Sequence, residues 1–143
     1  MSVADQIQDH RARCLAHLIK LRMLARDEAG TPPPRWMVVE IARATSAILA
    51  EAEAAGRAAL AAADGKNRGG ETFLRVRLDR LAAAANDTIT AARAGNSAEL
   101  RQHLDRFDVL TSAIWTVHDA MYGQRRARRP VPAPGQSRAV ASA

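Results

Sequence analysis

The chain has 143 residues, 48% of them hydrophobic but only 3% aromatic, and this composition favours one domain of packed helices over a β-sandwich. Its single cysteine, Cys14, excludes an internal disulfide and a cysteine-based zinc framework. The formal net charge is +6, but five arginines and no acidic residue lie from Gln124 onward, which leaves 16 basic against 15 acidic residues before that point.

The first predicted helix begins at Ser2, a good N-cap, with Asp5 three residues later. Its apolar residues recur every three or four positions, which is typical of a helix with one buried face. They are Val3, Ile7, His10, Cys14, Leu18, Leu21 and Ala25. Because the first nine residues include two aspartates and no apolar run, we expect no secretory signal and a cytoplasmic location.

Three breaks rich in glycine or proline, at 30–34, 64–70 and 95–96, separate four helical segments. The second segment has Thr31 as its predicted cap, and the third runs from about Glu71. The fourth is capped by Asn96, with Glu99 in the capping-box position. The predicted buried face of this fourth segment consists of His103, Phe107, Leu110, Ile114, Val117 and Met121, and it is flanked by Leu100 and Leu104.

Four helices of similar length joined by short loops predict an all-α fold, an up-down-up-down antiparallel four-helix bundle over residues 1–126. The remaining residues, 127–143, alternate proline with small residues and predict a disordered basic tail. The longest alanine-rich stretch, 50–63, is interrupted by charged residues, so we expect no membrane span.

No motif indicates an enzyme or a bound cofactor. The chain lacks a Gly-x-Ser-x-Gly elbow, and Lys66 is not followed by the Ser or Thr of a phosphate-binding loop. One metal hypothesis is open, because antiparallel packing of the first and fourth helices would bring His10, Cys14 and His118 together. Nitrogen and sulfur ligands suit Zn, Cu or Ni. The alternative is that these histidines are buried and hydrogen-bonded.

A stronger pattern is the concentration of arginine at one end of the predicted bundle and in the tail. Guanidinium groups bind phosphate oxygens bidentately, which favours a phosphate-rich partner. The candidate anion-binding residues are Arg125, Arg126, Arg128, Arg129, Lys66, Arg68, Arg75 and Arg77. Two alternatives are open: a tail that only aids solubility, and pairing of the arginines with nearby acidic residues such as Glu71 and Asp79.

Tryptophan marks a second candidate surface. Trp115 and Tyr122 share a helical face beside the main apolar stripe, and Trp36 begins the second helix. Such an edge is suited to a protein partner or a homo-oligomer, or it covers the flank of the bundle.

We therefore expect a non-enzymatic interaction protein whose basic pole and tail contact an anionic partner. Nucleic acid bound without strong sequence preference is the first candidate and an acidic protein the second. The alternatives are a metal- or ligand-binding bundle centred on His10, Cys14 and His118, and an adaptor that uses the Trp115 and Tyr122 edge.

Overall fold

The computed structural model describes residues 2–25, 32–63, 65 and 68–120. These residues form four α-helices: α1 (Val3–Ala25), α2 (Arg35–Ala63), α3 (Arg68–Ala94) and α4 (Ser97–His118). No strand occurs among them, so the all-α prediction is confirmed. Within this part of the chain, no helix has both the length and the apolar character that crossing a membrane requires. The predicted tail lies outside the described residues.

The predicted helix caps of α1 and α4 are confirmed. At the start of α1, the Asp5 backbone N–H donates to Ser2 Oγ at 3.1 Å. At the start of α4, the Glu99 backbone N–H donates to Asn96 Oδ1 at 3.1 Å. Gly95, between α3 and α4, has a φ of +73°, a left-handed conformation that glycine adopts without strain.

The second and third helices begin at positions that differ from the sequence prediction. Helix α2 begins at Arg35, directly after the three prolines, and the predicted cap Thr31 lies outside the described residues. Helix α3 begins at Arg68, three residues before the predicted start at Glu71. The earlier start leaves no additional backbone N–H group without an acceptor, because the first four N–H groups of any helix lack an intrahelical partner.

The core depends on small residues that let α2 and α3 approach closely. A Cβ added to Gly56 would lie 2.5 Å from Leu78 Cδ1, so the two helices are in contact at this point. The same stretch of α2 buries Ala52, Ala55 and Ala59. Larger side chains fill the rest of the interior. Fully buried among them are Phe107, Ile41, Ile48, Leu74, Leu81 and Ile114.

The buried face of α4 is turned relative to the prediction. Leu110 and Val117 are only half-buried, and Met121 lies outside the described residues. Thr111 occupies an interior position because its hydroxyl donates to the backbone carbonyl of Phe107 at 2.8 Å, which satisfies the polar group. The buried residues of α4 are Leu100, Leu104, Phe107, Thr111, Ile114, Trp115 and His118.

Ion pairs join one side of α1 to α2. Arg13 Nε lies 3.0 Å from Glu51 Oε1, and Lys20 Nζ lies 2.5 Å from Glu40 Oε2. Residue numbers therefore rise along α1 as they fall along α2. The contacts are partly exposed, so we expect each to add little to stability while favouring one register of the two helices.

The opposite side of α1 is joined to α4 in the same way. Arg11 Nη1 lies 2.7 Å from Asp119 Oδ1, and both nitrogen donors Nε and Nη2 of Arg22 lie 2.6 Å from the Asp108 carboxylate. Arg11 and Arg22 are as far apart in the sequence as Asp108 and Asp119 are. The earlier residue of the first pair contacts the later residue of the second, so α1 and α4 run in opposite directions along this contact. Helix α1 thus has α2 on one side and α4 on the other.

The close approach at Gly56 gives a stability prediction. Replacing Gly56 with Leu should lower the free energy of unfolding by about 1–3 kcal/mol, because the added side chain overlaps Leu78. Urea unfolding followed by circular dichroism measures the change. Gly69→Leu is the matched control, since a Cβ at Gly69 meets no atom within 4 Å. Adding Leu78→Ala to the Gly56 variant should recover part of the loss, and equal stability of the two leucine variants would contradict the close packing.

Candidate functional site

An exposed face of α3 gathers arginine and apolar residues over the first half of the helix. We call this set of residues the arginine face. Its members line one shallow groove: Arg68, Gly69, Thr72, Phe73, Val76, Arg77 and Arg80. Steps of three and four residues place them on one side of α3, over about 18 Å at 1.5 Å per residue. Arg80 was absent from the predicted set, although its position three residues after Arg77 was a signal for it.

The arginines of this face differ from the basic residues of α1 in their electrostatic surroundings. No described carboxylate lies within 4.0 Å of Arg68, Arg77 or Arg80. The nearby Glu71 accepts a hydrogen bond from the backbone N–H of Gly65 at 3.2 Å. The alternative that neighbouring acids neutralise these arginines therefore finds no support among the described residues.

Arg77 is held in place by an aromatic ring of the same face. Its guanidinium carbon lies 4.6 Å from the centre of the Phe73 ring, a cation–π contact at i, i+4 spacing. Arg77 Nε is buried and has no hydrogen-bond partner among the described residues. The stacking fixes the side chain, so an anion that binds Arg77 would have less conformational entropy to remove.

The other predicted anion-binding residues do not belong to this face as the structure describes it. Arg75 lines a different groove, between α2 and α3, together with Arg57 and the acidic residues Glu53 and Asp79. The mixed charge of that groove makes it a weaker anion site than the arginine face. Five candidates lie outside the described residues: Lys66, Arg125, Arg126, Arg128 and Arg129.

The three predicted metal ligands are divided between two environments. His10 Nδ1 lies 2.6 Å from Glu51 Oε2, in a half-buried contact between α1 and α2. Burial acts to raise the pKa of Glu51, but the hydrogen bonds from His10 and Arg13 outweigh it and the pKa is lowered. Across the described residues, no group of three or more His, Cys, Asp or Glu side chains is arranged to hold a metal ion. The metal hypothesis therefore gains no support.

Cys14 and His118 lie instead in the core, and each interacts with Trp115. Burial raises the pKa of the Cys14 thiol, and a hydrogen bond with Trp115 opposes the rise. The rings of Trp115 and His118 have centroids 5.4 Å apart. Burial lowers the pKa of His118 to about 4, against the attraction of Asp119 and with a further contribution from Arg11. Cys14 is therefore a poor nucleophile, and His118 is neutral near pH 7.

The predicted tryptophan edge is also divided. Trp115 is 7% exposed and belongs to the core, which fits the alternative that it covers the interior of the bundle. Tyr122 lies outside the described residues. Trp36, by contrast, is 61% exposed at the start of α2, where it borders Ile19 and Met23 of α1. Of the three predicted interface residues, only Trp36 is shown at the surface.

Comparisons with protein-family models, with curated proteins and with solved structures found no match for this chain. A four-helix architecture is shared by proteins with unrelated activities, so the fold does not assign a function. Evidence for a function therefore lies in the chemistry of the described surfaces.

The buried His118 gives a prediction for pH dependence. Its pKa is about 4 in the folded chain, against an ordinary value of 6.5. Between these two values the unfolded chain binds a proton at His118 that the folded chain does not, so stability must fall as the pH decreases. We expect His118 to contribute a loss of about 2 kcal/mol between pH 7 and pH 4.5.

The measurement is urea unfolding of the wild type and of His118→Leu at several pH values. The wild type should lose more stability on acidification than the variant does. His17→Gln serves as the control, because it removes a half-buried histidine of α1 and should leave the wild-type pH dependence in place. The same pH dependence in the wild type and in His118→Leu would show that His118 is not buried as a neutral side chain.

Proposed function

We propose that this protein is a non-enzymatic, cytoplasmic interaction protein that binds nucleic acid without strong sequence preference. The arginine face of α3 and the arginines of the tail provide the contacts. The observation that carries the proposal is that Arg68, Arg77 and Arg80, which have no described carboxylate within 4.0 Å, line one groove together. The basic residues of α1, by contrast, each contact a carboxylate of a neighbouring segment.

The charge balance around α1 supports this assignment. Arg11, Arg13, Lys20 and Arg22 each contact a carboxylate of α2 or α4, so their charges are largely neutralised at short range. A polyanion gains more from guanidinium groups that have no competing carboxylate, because it need not displace an existing ion pair. The arginine face is therefore the best described location for a phosphate backbone.

The composition of the arginine face favours contact with the backbone over readout of base edges. Three arginines spread over about 18 Å could each contact a separate phosphate of one strand. Phe73, exposed and next to Arg77, offers a surface on which a base of any sequence could stack. No polar side chain of the amide type, which commonly reads adenine, belongs to this face.

We further propose an up-down-up-down arrangement of the four helices. The opposed numbering of the α1–α2 and α1–α4 ion pairs supports it. In that arrangement the start of α3 and the end of α4 lie at the same end of the bundle. Gln124 follows shortly after α4 in the sequence, and we propose that the tail arginines contact the same partner as the arginine face.

The proposal predicts that the arginine face matters beyond its contribution to net charge. Replacing Arg68, Arg77 and Arg80 together with Gln should weaken binding to a fluorescently labelled DNA duplex. It should also flatten the salt dependence, since each lost phosphate contact removes about 0.9 from the slope of log K against log salt concentration. Fluorescence anisotropy at several salt concentrations measures both effects.

The matched control replaces Arg35, Arg93 and Arg106, three exposed arginines outside the arginine face, with Gln. This variant has the same net charge and should keep most of the binding. Deletion of 124–143 separately tests the tail and should also weaken binding. Equal losses in the two triple variants would reduce the effect to bulk charge, and no binding by the wild type would favour an acidic protein as the partner.

A further inference from the structure

The outward side of α1 carries an apolar stripe that the four-helix core does not use. Leu15, Ile19 and Met23 are 51%, 49% and 63% exposed, at intervals of four residues. The exposed residues Ala12 and Ala16 lie between them on the same side of the helix. Helix α1 thus has two apolar faces, one buried in the bundle and one facing outward.

The outward stripe has the spacing of a helix-pairing seam. Leu15, Ile19 and Met23 form a ridge of i, i+4 spacing, and Ala12 and Ala16 form a lower row of the same spacing beside it. Ridges of this kind pack into the grooves between the i, i+4 rows of another helix. Trp36 of α2 borders Ile19 and Met23 and extends the stripe sideways. Monomeric proteins rarely expose contiguous apolar patches of more than a few hundred Å².

The carboxylates at the borders of the stripe are already paired. On the side toward α2, Lys20 and Arg43 share the carboxylate of Glu40, which leaves one positive charge in excess. On the side toward α4, Arg22 is paired through two hydrogen bonds with Asp108. A basic partner would therefore find no unpaired carboxylate among these residues. The partner that the stripe itself selects is apolar.

The parts of the chain outside the described residues offer little to cover the stripe. Residues 26–31, which follow α1, contain no leucine, isoleucine, valine, methionine or aromatic residue. The residues after 120 include only four large apolar side chains, and they follow an α4 end that lies beside Arg11, remote from Met23. The sequence therefore supplies no apolar segment that matches the stripe in length.

A second copy of the same chain does match it. If two α1 helices cross antiparallel with Ile19 at the two-fold axis, Leu15 of one copy lies opposite Met23 of the other, and Ile19 lies opposite Ile19. The small side chains Ala12 and Ala16 let the two helices approach closely. The pattern is self-complementary, as an isologous interface requires.

We propose that the outward face of α1, together with Trp36, is the contact surface of a homodimer. The contact is formed by α1 against α1 of a second copy, antiparallel about Ile19. It is separate from the arginine face of α3 and does not depend on nucleic-acid binding. Since the seam covers only three turns of one helix, the dimer forms in a concentration-dependent equilibrium.

Sedimentation or light scattering over a wide concentration range tests the proposal on the full chain. The mass should rise from 15.4 kDa toward twice that value in the wild type. Ile19→Glu should keep it at the monomer mass, because two carboxylates would meet at the axis. Val109→Glu is the matched control: Val109 is 68% exposed on α4, away from the stripe, and this variant should associate as the wild type does.

A cysteine variant tests the geometry without relying on loss of association. Ile19→Cys should form a disulfide-linked dimer under mild oxidation, because position 19 meets itself across the axis, while the buried Cys14 stays unreacted. Val109→Cys should not. A monomer mass at every concentration, association that survives Ile19→Glu, or equal cross-linking at positions 19 and 109 would each overturn the proposal.

Discussion

The packing of helices across a seam of small residues is the constraint on which the rest of the structure depends. Where α2 presents Gly56 and its buried alanines, Leu78 of α3 reaches the α2 backbone. Because the chain has few aromatic side chains, the helices must pack closely if the interior is to contain no voids. Elsewhere in the core, large aliphatic side chains and Phe107 fill the space between the helices. Ion pairs along the edges of α1, toward α2 on one side and α4 on the other, add a second constraint and shape the distribution of surface charge.

The acidic residues that line the edges of α1 are largely used within the bundle. Glu40 and Glu51 of α2 face α1 from one side, and Asp108 and Asp119 face it from the other. The arginine face of α3 has no such neighbours among the described residues. One distribution of charge therefore distinguishes two surfaces: an apolar stripe on α1 whose border carboxylates are paired, and a face of α3 whose arginines have no described carboxylate partner.

The sequence predicted those features that depend on local patterns. The caps at Ser2 and Asn96 and the break at Gly95 follow from residue type and spacing, and the structure has them. The buried face of α4 was harder to predict because apolar residues surround much of that helix. A threonine whose hydroxyl donates to the backbone of its own helix, as at Thr111, can be buried, and the spacing of apolar residues alone does not reveal it.

The candidate sites were less predictable, because they depend on the register between helices. The sequence grouped His10 with Cys14 and His118, but the structure pairs His10 with Glu51, forty-one positions away, and arranges no described group of three such side chains to hold a metal. Trp115 was placed at an edge, whereas packing against His118 and Cys14 makes it part of the core. The exposure of the arginine face and of the α1 stripe depends on which helices pack against α3 and α1, and the sequence pattern does not contain that information.

The central claim is that the arginine face of α3 is where an anionic partner binds, and hydrogen–deuterium exchange tests it most directly. The full-length protein would be compared with and without a DNA duplex, at a salt concentration where binding is complete. If DNA binds at the arginine face, the backbone amides of residues 68–80 should exchange more slowly in its presence, and those of α1 should change little. Protection concentrated on α1 or on α4, with none over 68–80, would contradict it.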